Sequence, residues 1–482
     1  MPLVVGAQSA SAGAFSIDNS CWFNGTSQGL VRTNPATAVT LGTKSTVSFW
    51  AKRTLPNNTG TNQFYSYTNG GSSPYNQMYW PSNGRFQWQN ADGGTNTSLI
   101  TLQQFADPTA WYHMVFTYDS TPATPSSTSV KMFVNGTQVT SFYETPTYPA
   151  QNVVSQVCKP SVNFPICYYP STAWYCGYYA QIMVVDGQAL NADSFGEFDE
   201  DSPTIWKPID ISGIDVGNLG CYLEFKDSAN LGTDTSGIGN FTETALTAVN
   251  QSTDTPTNNF AVFNPLAGTG GGGRYSTFSL ANLKFVTNAG AYGWNCGTVA
   301  LSAGKWYWEI EIVATAGSDY ELIGIADAMN DTTSAQFGQQ EFSYALNCDN
   351  GTIYNDSTST AYGVTATTGN ILGHYLDLDN NKMYWAKDGV IMNSGTGFDI
   401  SAASDTLNGH YFPAVGEYST GSGTYACNFG GATISALTSA QADANGYGNF
   451  EYSPNDDGSA SFDGSAKDFL AICTKNLSTD GG

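Results

Sequence analysis

Residues 305–312 carry the pattern that most constrains this chain, because large apolar side chains recur there at every second position. The run reads Lys-Trp-Tyr-Trp-Glu-Ile-Glu-Ile, so Trp306, Trp308, Ile310 and Ile312 alternate with other residues. Since successive side chains of a strand point to opposite faces, this period of two predicts a half-buried β-strand rather than a helix. A short apolar run at 322–326 predicts a second strand.

Composition extends this prediction to the whole chain. The 482 residues include 28 Tyr, 26 Phe, 11 Trp and 52 Gly. Aromatic residues favour strands and glycine favours turns, so many short strands are expected. The length is sufficient for two or three domains, each with its own core. The sequence therefore predicts an all-β fold built of antiparallel β-sandwiches.

Charge narrows the classes of function. The 40 acidic residues against 16 basic ones give a formal net charge of −24. Such an anion is repelled by nucleic acid and by anionic membrane surfaces, so we expect no nucleic-acid partner. No run of about 18 apolar residues occurs, so we expect no membrane insertion. We interpret the charge as a solubilising surface, with specific recognition of a cationic partner as the alternative.

The cysteines and histidines argue against a metal site or a catalytic triad. Nine cysteines include no Cys-x-x-Cys pair, which disfavours zinc and thioredoxin-like chemistry. The chain has only three histidines, which disfavours a Ser-His-Asp triad and a His-rich metal site. Three cysteines are close enough in sequence to bridge, with free buried thiols as the alternative: Cys158, Cys167 and Cys176.

Two acidic segments are the candidates for glycoside hydrolysis. The carboxylates of an inverting pair stand about 6.5–9.5 Å apart, and side chains two positions apart on a strand share a face at about 6.5 Å. Glu197 and Asp199 have this spacing, but nearby Gly and Pro residues indicate a solvated acidic turn. Glu309 and Glu311 lie in a strand pattern, where an outer, solvated face is expected. We therefore predict that the chain is not an enzyme.

The second half contains further strand-like motifs in a fixed order. They read Gly-His-Tyr-Leu-Asp-Leu-Asp at 373–379, Lys-Met-Tyr-Trp-Ala-Lys-Asp-Gly-Val at 382–390 and Tyr-Phe-Pro-Ala-Val-Gly at 411–416. With the strands at 305–312 and 322–326, this series resembles a SPRY domain. The resemblance implies an antiparallel β-sandwich that binds partners through its loops, and thus recognition rather than catalysis.

The first half has its own series of strand patterns. They include Val-Ser-Phe-Trp-Ala-Lys at 47–52, Trp-Tyr-His-Met-Val-Phe-Thr-Tyr at 111–118 and Tyr-Ala-Gln-Ile-Met-Val-Val-Asp-Gly at 179–187. Asn135-Gly136 is a type I′ hairpin signal between two short strands. The series resembles the laminin-G/concanavalin-A-like jelly roll.

Four phrases follow one another along the first half: Ala-Phe-Ser-Ile-Asp-Asn-Ser at 14–20, Ile-Trp-Lys-Pro at 205–208, and the segments 223–237 and 254–260. As a set, with a SPRY-like second half, they are similar to a group of bacteriophage virion proteins. That resemblance implies a head decoration or fibre, or a tail-fibre-type appendage, made in the host cytoplasm and located in the virion. It also implies a homo-oligomer, other virion proteins and a host-surface glycan as partners. A polysaccharide hydrolase on the concanavalin-like fold and a cellular adhesion or scaffold protein using its SPRY-like half are the alternatives.

These patterns predict five regions. Residues 1–20 are an N-terminal anchoring arm of small residues, and 1–15 lack the basic start of a secretory signal. The jelly roll spans 21–263 and the SPRY-like sandwich 275–435. A Gly-rich linker at 264–274 joins them, and 436–482 form an irregular tail.

Binding is assigned to aromatic residues in turn-rich stretches, where rings can stack on a sugar or pack on a partner. The candidates are Tyr168, Tyr169, Trp174, Tyr292, Trp294, Tyr320, Tyr354 and Tyr362. No cofactor is expected except Ca²⁺, for which Asp227 and Asp234 are the candidate ligands because calcium prefers clustered oxygens. Asx-type turn bonding is the alternative role of these two residues.

Overall fold

The chain folds almost entirely into antiparallel β-sheets, which confirms the predicted fold class. The structure is a computed structural model, and it describes residues 15–36, 42–55, 62–69, 72–92, 96–167, 175–267, 277–287, 294–315, 320–327, 336–418, 421–455, 462 and 468–480. Within these ranges no helix combines the length and the apolar character needed to cross a bilayer. The described chain divides into two compact units, the first ending at Thr257 and the second beginning at Asn258.

The first unit consists of short strands in two main sheets. The strands are β1 (Ser20–Asn24), β2 (Gly29–Thr33), β3 (Lys44–Arg53), β4 (Asn62–Asn69), β5 (Ser72–Trp80), β6 (Arg85–Ala91), β7 (Thr97–Gln104), β8 (Trp111–Asp119), β9 (Val130–Val134), β10 (Thr137–Gln138), β11 (Asn163–Ile166), β12 (Cys176–Asp186), β13 (Gly196–Phe198), β14 (Trp206–Pro208), β15 (Cys221–Leu223), β16 (Thr242–Thr244) and β17 (Gln251–Ser252). One sheet has the order β10-β9-β8-β3-β12-β1-β17, with β15 also on β12, and the other β16-β2-β11-β4-β5-β6-β7. Short 3-10 helices occur at Ala192–Ser194 and Ala248–Asn250.

Aromatic side chains join the two sheets of the first unit. Phe49 of one sheet stacks on Phe64 of the other at a centroid distance of 3.8 Å, and Phe86 stacks on Phe116 at 5.1 Å. All four rings are buried at the face that the sheets share, so this is a β-sandwich core. The hairpin predicted at Asn135-Gly136 is present, because both residues have positive φ and Val134 pairs with Thr137.

The second unit is built in the same way. Its strands are β18 (Thr277–Ser279), β19 (Lys284–Val286), β20 (Trp294–Cys296), β21 (Lys305–Ala314), β22 (Tyr320–Ala326), β23 (Ser343–Asn347), β24 (Thr352–Asn355), β25 (Thr358–Ala361), β26 (Ile371–Asp377), β27 (Lys382–Lys387), β28 (Val390–Ile391), β29 (Phe398–Asp399), β30 (Phe412–Tyr418), β31 (Thr424–Asn428) and β32 (Leu470–Ala471). One sheet has the order β18-β19-β31-β21-β26-β27-β28, with β29 on β27 and β32 on β21, and the other β20-β30-β22-β23-β24-β25. The helix α1 (Thr474–Asp480) follows β32, and 3-10 helices occur at Asn393–Gly395 and Ala403–Asp405.

The described part of the C-terminal segment, predicted as an irregular tail, contains only β32 and α1 as regular elements, but it belongs to the second unit's core. β32 pairs in parallel with β21, the strand predicted from 305–312. Phe450 and Phe469 are fully buried and pack against Tyr307 and Tyr375 of the larger sheet. The segment thereby covers the sheet face that points away from the sandwich core.

Two predicted boundaries also shift. Residues 258–263 belong to the second unit rather than to the jelly roll, because Ala261 N donates to Ile472 O at 3.1 Å. Residues 1–14 of the predicted arm lie outside the described residues, whereas Ile17 is buried and its N–H donates to Thr257 Oγ1. The predicted linker lies outside the described residues from 268 onward, so its flexibility stays a prediction.

A layer of rings covers the outer face of β3 and β8 in the first unit. Trp50 stacks on His113 at 4.6 Å, and His113 in turn faces Trp206 at 6.0 Å. Trp206 comes from the Ile-Trp-Lys-Pro phrase and lies against the hairpin at Gly136, where a Cβ would overlap its ring. The phrase therefore serves to seal the outer face of the sandwich.

We expect Gly136→Ala to lower the free energy of unfolding of the first unit by about 2–4 kcal/mol. Gly136 has φ 76° and no room for a Cβ, so backbone strain adds to overlap with Trp206. Gly237→Ala is the matched control, since Gly237 has φ 82° but a Cβ there would meet no described atom within 4 Å, and it should cost only about 1 kcal/mol. Calorimetric melting of both variants measures the difference, and equal losses would contradict the packing role of Gly136.

Candidate functional site

Five of the eight predicted binding aromatics have side chains outside the described residues. Four of them lie wholly outside the described residues: Tyr168, Tyr169, Trp174 and Tyr292. The fifth, Tyr320, lies in β22, where only its backbone is described. The binding role of these five residues stays a prediction.

Trp294 and Tyr362 do not lie at exposed loop tips, so that prediction is wrong for both. Trp294 belongs to β20, is 4% exposed and stacks on Phe337 at 5.5 Å. Tyr362 is 8% exposed and meets Trp385 edge to face at 5.4 Å.

Tyr354 lies in a hairpin that remains accessible. β24 and β25 are joined by Asp356 and Ser357, which both have positive φ, as a type I′ turn requires. Tyr354 is half-buried against the cluster that contains Trp294, while every residue of β25 is exposed. The hairpin thus presents a partly exposed ring beside a fully exposed edge strand.

Asp234 is engaged inside the first unit, which contradicts its predicted role as a calcium ligand. Its Oδ2 accepts from Arg32 Nη1 at 3.1 Å and from the Gly239 N–H, and its Oδ1 accepts from the N–H groups of Tyr222 and Ser236. Asp227 is exposed and accepts from the Ala229 N–H. Within the described residues no group of three or more His, Cys, Asp or Glu side chains could hold a metal.

The acidic turn in the first unit is held by one lysine. Lys207 Nζ lies 3.3 Å from Glu197 Oε1 and 3.4 Å from Asp199 Oδ2. Hydrogen bonds from the backbone of Ser202 and Asp201, together with Lys207, lower the pKa of Asp199. A carboxylate with a lowered pKa is a poor general acid, so Asp199 does not suit the acid role in a glycosidase.

Ser48 and His113 form a buried pair that cannot act as a nucleophile and base. Ser48 Oγ lies 2.9 Å from His113 Nε2, and Trp206 Nε1 donates to His113 Nδ1 at 2.9 Å. Because Nδ1 accepts, Nε2 of the neutral ring carries the proton and cannot take another from Ser48. Burial also lowers the pKa of His113 to about 3, which keeps the ring neutral. The pair is therefore structural.

Glu309 is buried, which contradicts its predicted place on a solvated outer face. It is 2% exposed, and its carboxylate accepts hydrogen bonds from Tyr307 Oη at 2.9 Å and Asn428 Nδ2 at 2.9 Å. The backbone N–H groups of Glu451 and Tyr452 also donate to it, at 3.0 and 2.8 Å. Glu309 is thus the anchor on the sheet for the C-terminal segment.

A cleft of about 200 Å³ opens beside this anchor. Glu309, Glu311 and Glu451 contribute to its lining, together with residues 433–438. Desolvation raises the pKa of Glu309 to about 7, outweighing the four hydrogen bonds that favour the charged form. With those four donors in place, the carboxylate holds the protein's own backbone and has a structural role.

The pKa of Glu309 predicts a pH dependence. A carboxyl whose pKa is raised on folding contributes most to stability below its unfolded pKa, and that contribution is lost as the pH rises through the folded value. Relative to Glu309→Gln, the wild-type free energy of unfolding should fall by up to about 3 kcal/mol between about pH 4.5 and pH 8. Urea unfolding of both proteins across this range measures it, and parallel pH profiles would contradict the assignment.

All nine cysteines are buried and unbridged, so the alternative of free thiols holds for Cys158, Cys167 and Cys176. Burial raises the pKa of the Cys158 and Cys167 thiols well above the ordinary value. Such thiols remain protonated and are poor nucleophiles or metal ligands.

Two family models match the chain, one in each unit. Residues 24–156 match the model of the concanavalin A-like lectin/glucanases superfamily, and residues 305–431 match the SPRY domain. Both resemblances identified from the strand patterns are thereby confirmed.

Two curated proteins are similar to part of the chain. The Ran-binding proteins 9/10 homolog of Drosophila melanogaster is 29% identical over 139 residues, which are 27% of this chain and 13% of that protein. Ran-binding protein 10 of Danio rerio is 29% identical over 124 residues, which are 26% of this chain and 19% of that protein. The chain therefore spans less than two thirds of the length of either relative.

Two solved structures are also similar to parts of the chain. The SPRY domain of human HERC1 is 12% identical, with 36% of this chain and 99% of that chain covered and a TM-score of 0.29. The native heptameric SAP-like pentraxin from Limulus polyphemus is 17% identical, with 37% and 80% covered and a TM-score of 0.26. From the two family matches, this chain carries a concanavalin A-like domain in its first half and a SPRY domain in its second.

Proposed function

We propose that this chain is a non-catalytic protein-interaction scaffold whose SPRY half binds another protein. The observation that carries the proposal is the SPRY match at 305–431, which lies wholly within the second unit. The curated relatives are named as Ran-binding proteins, and their names support a protein as the class of partner.

The packing of the second unit limits where a partner can bind. The C-terminal segment covers the outer face of the larger sheet through Phe450, Phe469 and the Glu309 anchor. The facing sides of the two sheets are buried in the sandwich. The loops and the exposed edges of the sheets are among the surfaces left for a macromolecular partner.

The carboxylates and the histidine described in the first unit give catalysis no support. Asp234 is paired with Arg32, Glu197 and Asp199 share Lys207, and His113 cannot accept a proton from Ser48. Each candidate group is thus engaged in a structural contact. These observations favour the scaffold over a polysaccharide hydrolase.

The virion-surface assignment is a finer proposal that rests on the sequence phrases alone. The names of the two Ran-binding relatives concern protein binding, and they favour the scaffold alternative over the virion-surface assignment. The predicted homo-oligomer, virion partners and virion location stay predictions. Locating the chain in an intact particle would support them, and a partner found only in a cell would overturn them.

A glycan partner is the second candidate, for the concanavalin A-like half. The observation that favours it is Tyr143, which is 54% exposed and whose ring lies 4.1 Å from the Arg85 guanidinium. An exposed ring beside a cation can stack on a sugar face. Loss of glycan-array signal in Tyr143→Ala, with unchanged melting, would support this role, and an unchanged signal would overturn it.

Peptide display on the immobilised full chain tests the protein-interaction proposal. A random-peptide library should yield binders that photo-crosslink to residues 258–480, and heat-unfolded chain should not enrich the same peptides. Binders that crosslink only to the first unit, or no enrichment over the unfolded control, would overturn the proposal.

A further inference from the structure

β25 is the most exposed sheet edge in the described chain. All four of its residues are exposed, whereas β20, at the other edge of the same sheet, is buried. The longer edge strand β7 is covered by residues 141–147, where Thr147 N donates to Ser98 O and Tyr143 N to Ile100 O. The other described edge strands of the four main sheets have two or three residues.

The turn determines which backbone groups of β25 face outward. In a two-residue type I′ hairpin the pair beside the turn, here Asn355 and Thr358, is hydrogen-bonded. Because hydrogen-bonded and non-bonded pairs alternate, Thr360 also bonds inward, to Ile353. The N–H and C=O groups of Ser359 and Ala361 therefore point away from β24, at the spacing that an added strand would use.

The chain segment that contains this edge is acidic. The segment 336–363 contains Glu341, Asp349 and Asp356 and no Lys or Arg, and all three carboxylates are in exposed residues. Lys387 lies outside the segment and donates to Thr365 O. The edge itself carries only Thr, Ser and Ala, so it has neither the lysine nor the proline that commonly protects an edge strand.

We propose that β25 binds an extended, Lys- or Arg-bearing segment of a partner protein as an added strand. Ser359 and Ala361 supply the backbone hydrogen bonds, and Glu341, Asp349 and Asp356 select a basic segment over an acidic one. This inference rests on the proposed protein-binding function and names its surface and the chemistry of the partner. A second copy of this chain is disfavoured because it would bring a like acidic edge against this one.

The test uses the full chain and a fluorescein-labelled decapeptide of alternating Lys and Val, with an alternating Glu and Val peptide as the charge control. Fluorescence anisotropy should show the Lys peptide binding at least about tenfold more tightly than the Glu peptide. Ser359→Pro removes an outward N–H and places a ring on the edge, so it should weaken binding about tenfold. Ser359→Ala leaves the backbone intact and should bind as the wild type does.

A modified peptide tests the edge site with the wild-type protein, so the result does not depend on whether the proline variant folds. N-methylation of alternate Val amides in the Lys peptide removes strand donors without changing the protein, and it should also weaken binding about tenfold. Equal binding of the methylated and unmethylated peptides, or of Ser359→Pro with native melting, would overturn the edge site. A dimer that Ser359→Pro dissociates would overturn the peptide occupant in favour of a second copy. Displayed peptides that crosslink elsewhere in 258–480 would overturn the edge site alone and leave the proposed function standing.

Discussion

Asp254→Asn should lower the free energy of unfolding of the first unit by about 3–5 kcal/mol, one of the two largest effects we expect. Asp254 Oδ2 lies 2.6 Å from Lys52 Nζ, and both side chains are almost completely buried. Trp111 Nε1 donates to the other carboxylate oxygen at 3.1 Å. Neutralising Asp254 removes the negative charge that lies 2.6 Å from the buried Lys52 ammonium. Differential scanning calorimetry of the full chain should show one transition at a markedly lower temperature.

Two further variants make this measurement specific. Asp119→Asn breaks an ion pair with Lys44 at 3.4 Å that is partly solvated, and it should cost about 0–1 kcal/mol. Replacing both partners, Lys52→Met with Asp254→Leu, removes both buried charges and should recover much of the loss. A loss below about 1 kcal/mol in Asp254→Asn would show that water reaches Lys52.

Trp308→Ala should lower the free energy of unfolding of the second unit by about 3–5 kcal/mol. Trp308 is completely buried in β21 and stacks on His374 at 4.9 Å, so truncation leaves a cavity that the two sheets cannot close. Urea unfolding followed by circular dichroism measures the loss. Leu407→Ala is the control, because Leu407 is 82% exposed and its truncation should change stability by less than about 0.5 kcal/mol. Equal effects of the two variants would contradict the assigned core.

Strand patterns predicted the sheets well because a period of two is a local property of the chain. The pattern at 305–312 became β21 with Trp306 and Trp308 buried on one face, although Tyr307 and Glu309 on the other face are buried as well, so the strand is not half-buried as predicted. The Asn135-Gly136 signal likewise became a hairpin, since its turn depends on two residues only. Such features need no knowledge of distant parts of the chain.

The candidate site was harder to predict because it depends on distant contacts. Glu309 is buried by Glu451 and Tyr452, which lie 142 and 143 residues further along the chain in a stretch without strand periodicity. Asp234 was predicted as a metal ligand from the oxygens near it in sequence, whereas its partner Arg32 is 202 residues away. Tyr362 was assigned to a turn from its neighbours, although Trp385 buries its ring. The sequence did contain one signal of such long-range contacts. The phrases at 205–208, 223–237 and 254–260 contain Trp206, Asp234 and Asp254, which bond to His113, Arg32 and Lys52.

In each unit, strands near the start contact residues near the end, so these contacts form late during synthesis on the ribosome. β1 pairs with β17, and Ser20 Oγ donates to Asp254 O, so the first strand lacks these partners until about 230 further residues have been translated. In the second unit Tyr307 and Tyr375 likewise wait for Phe450 and Phe469. The nascent first half therefore keeps an unpaired strand edge, and the nascent second half leaves these tyrosine rings without their aromatic partners, until near the end of its translation.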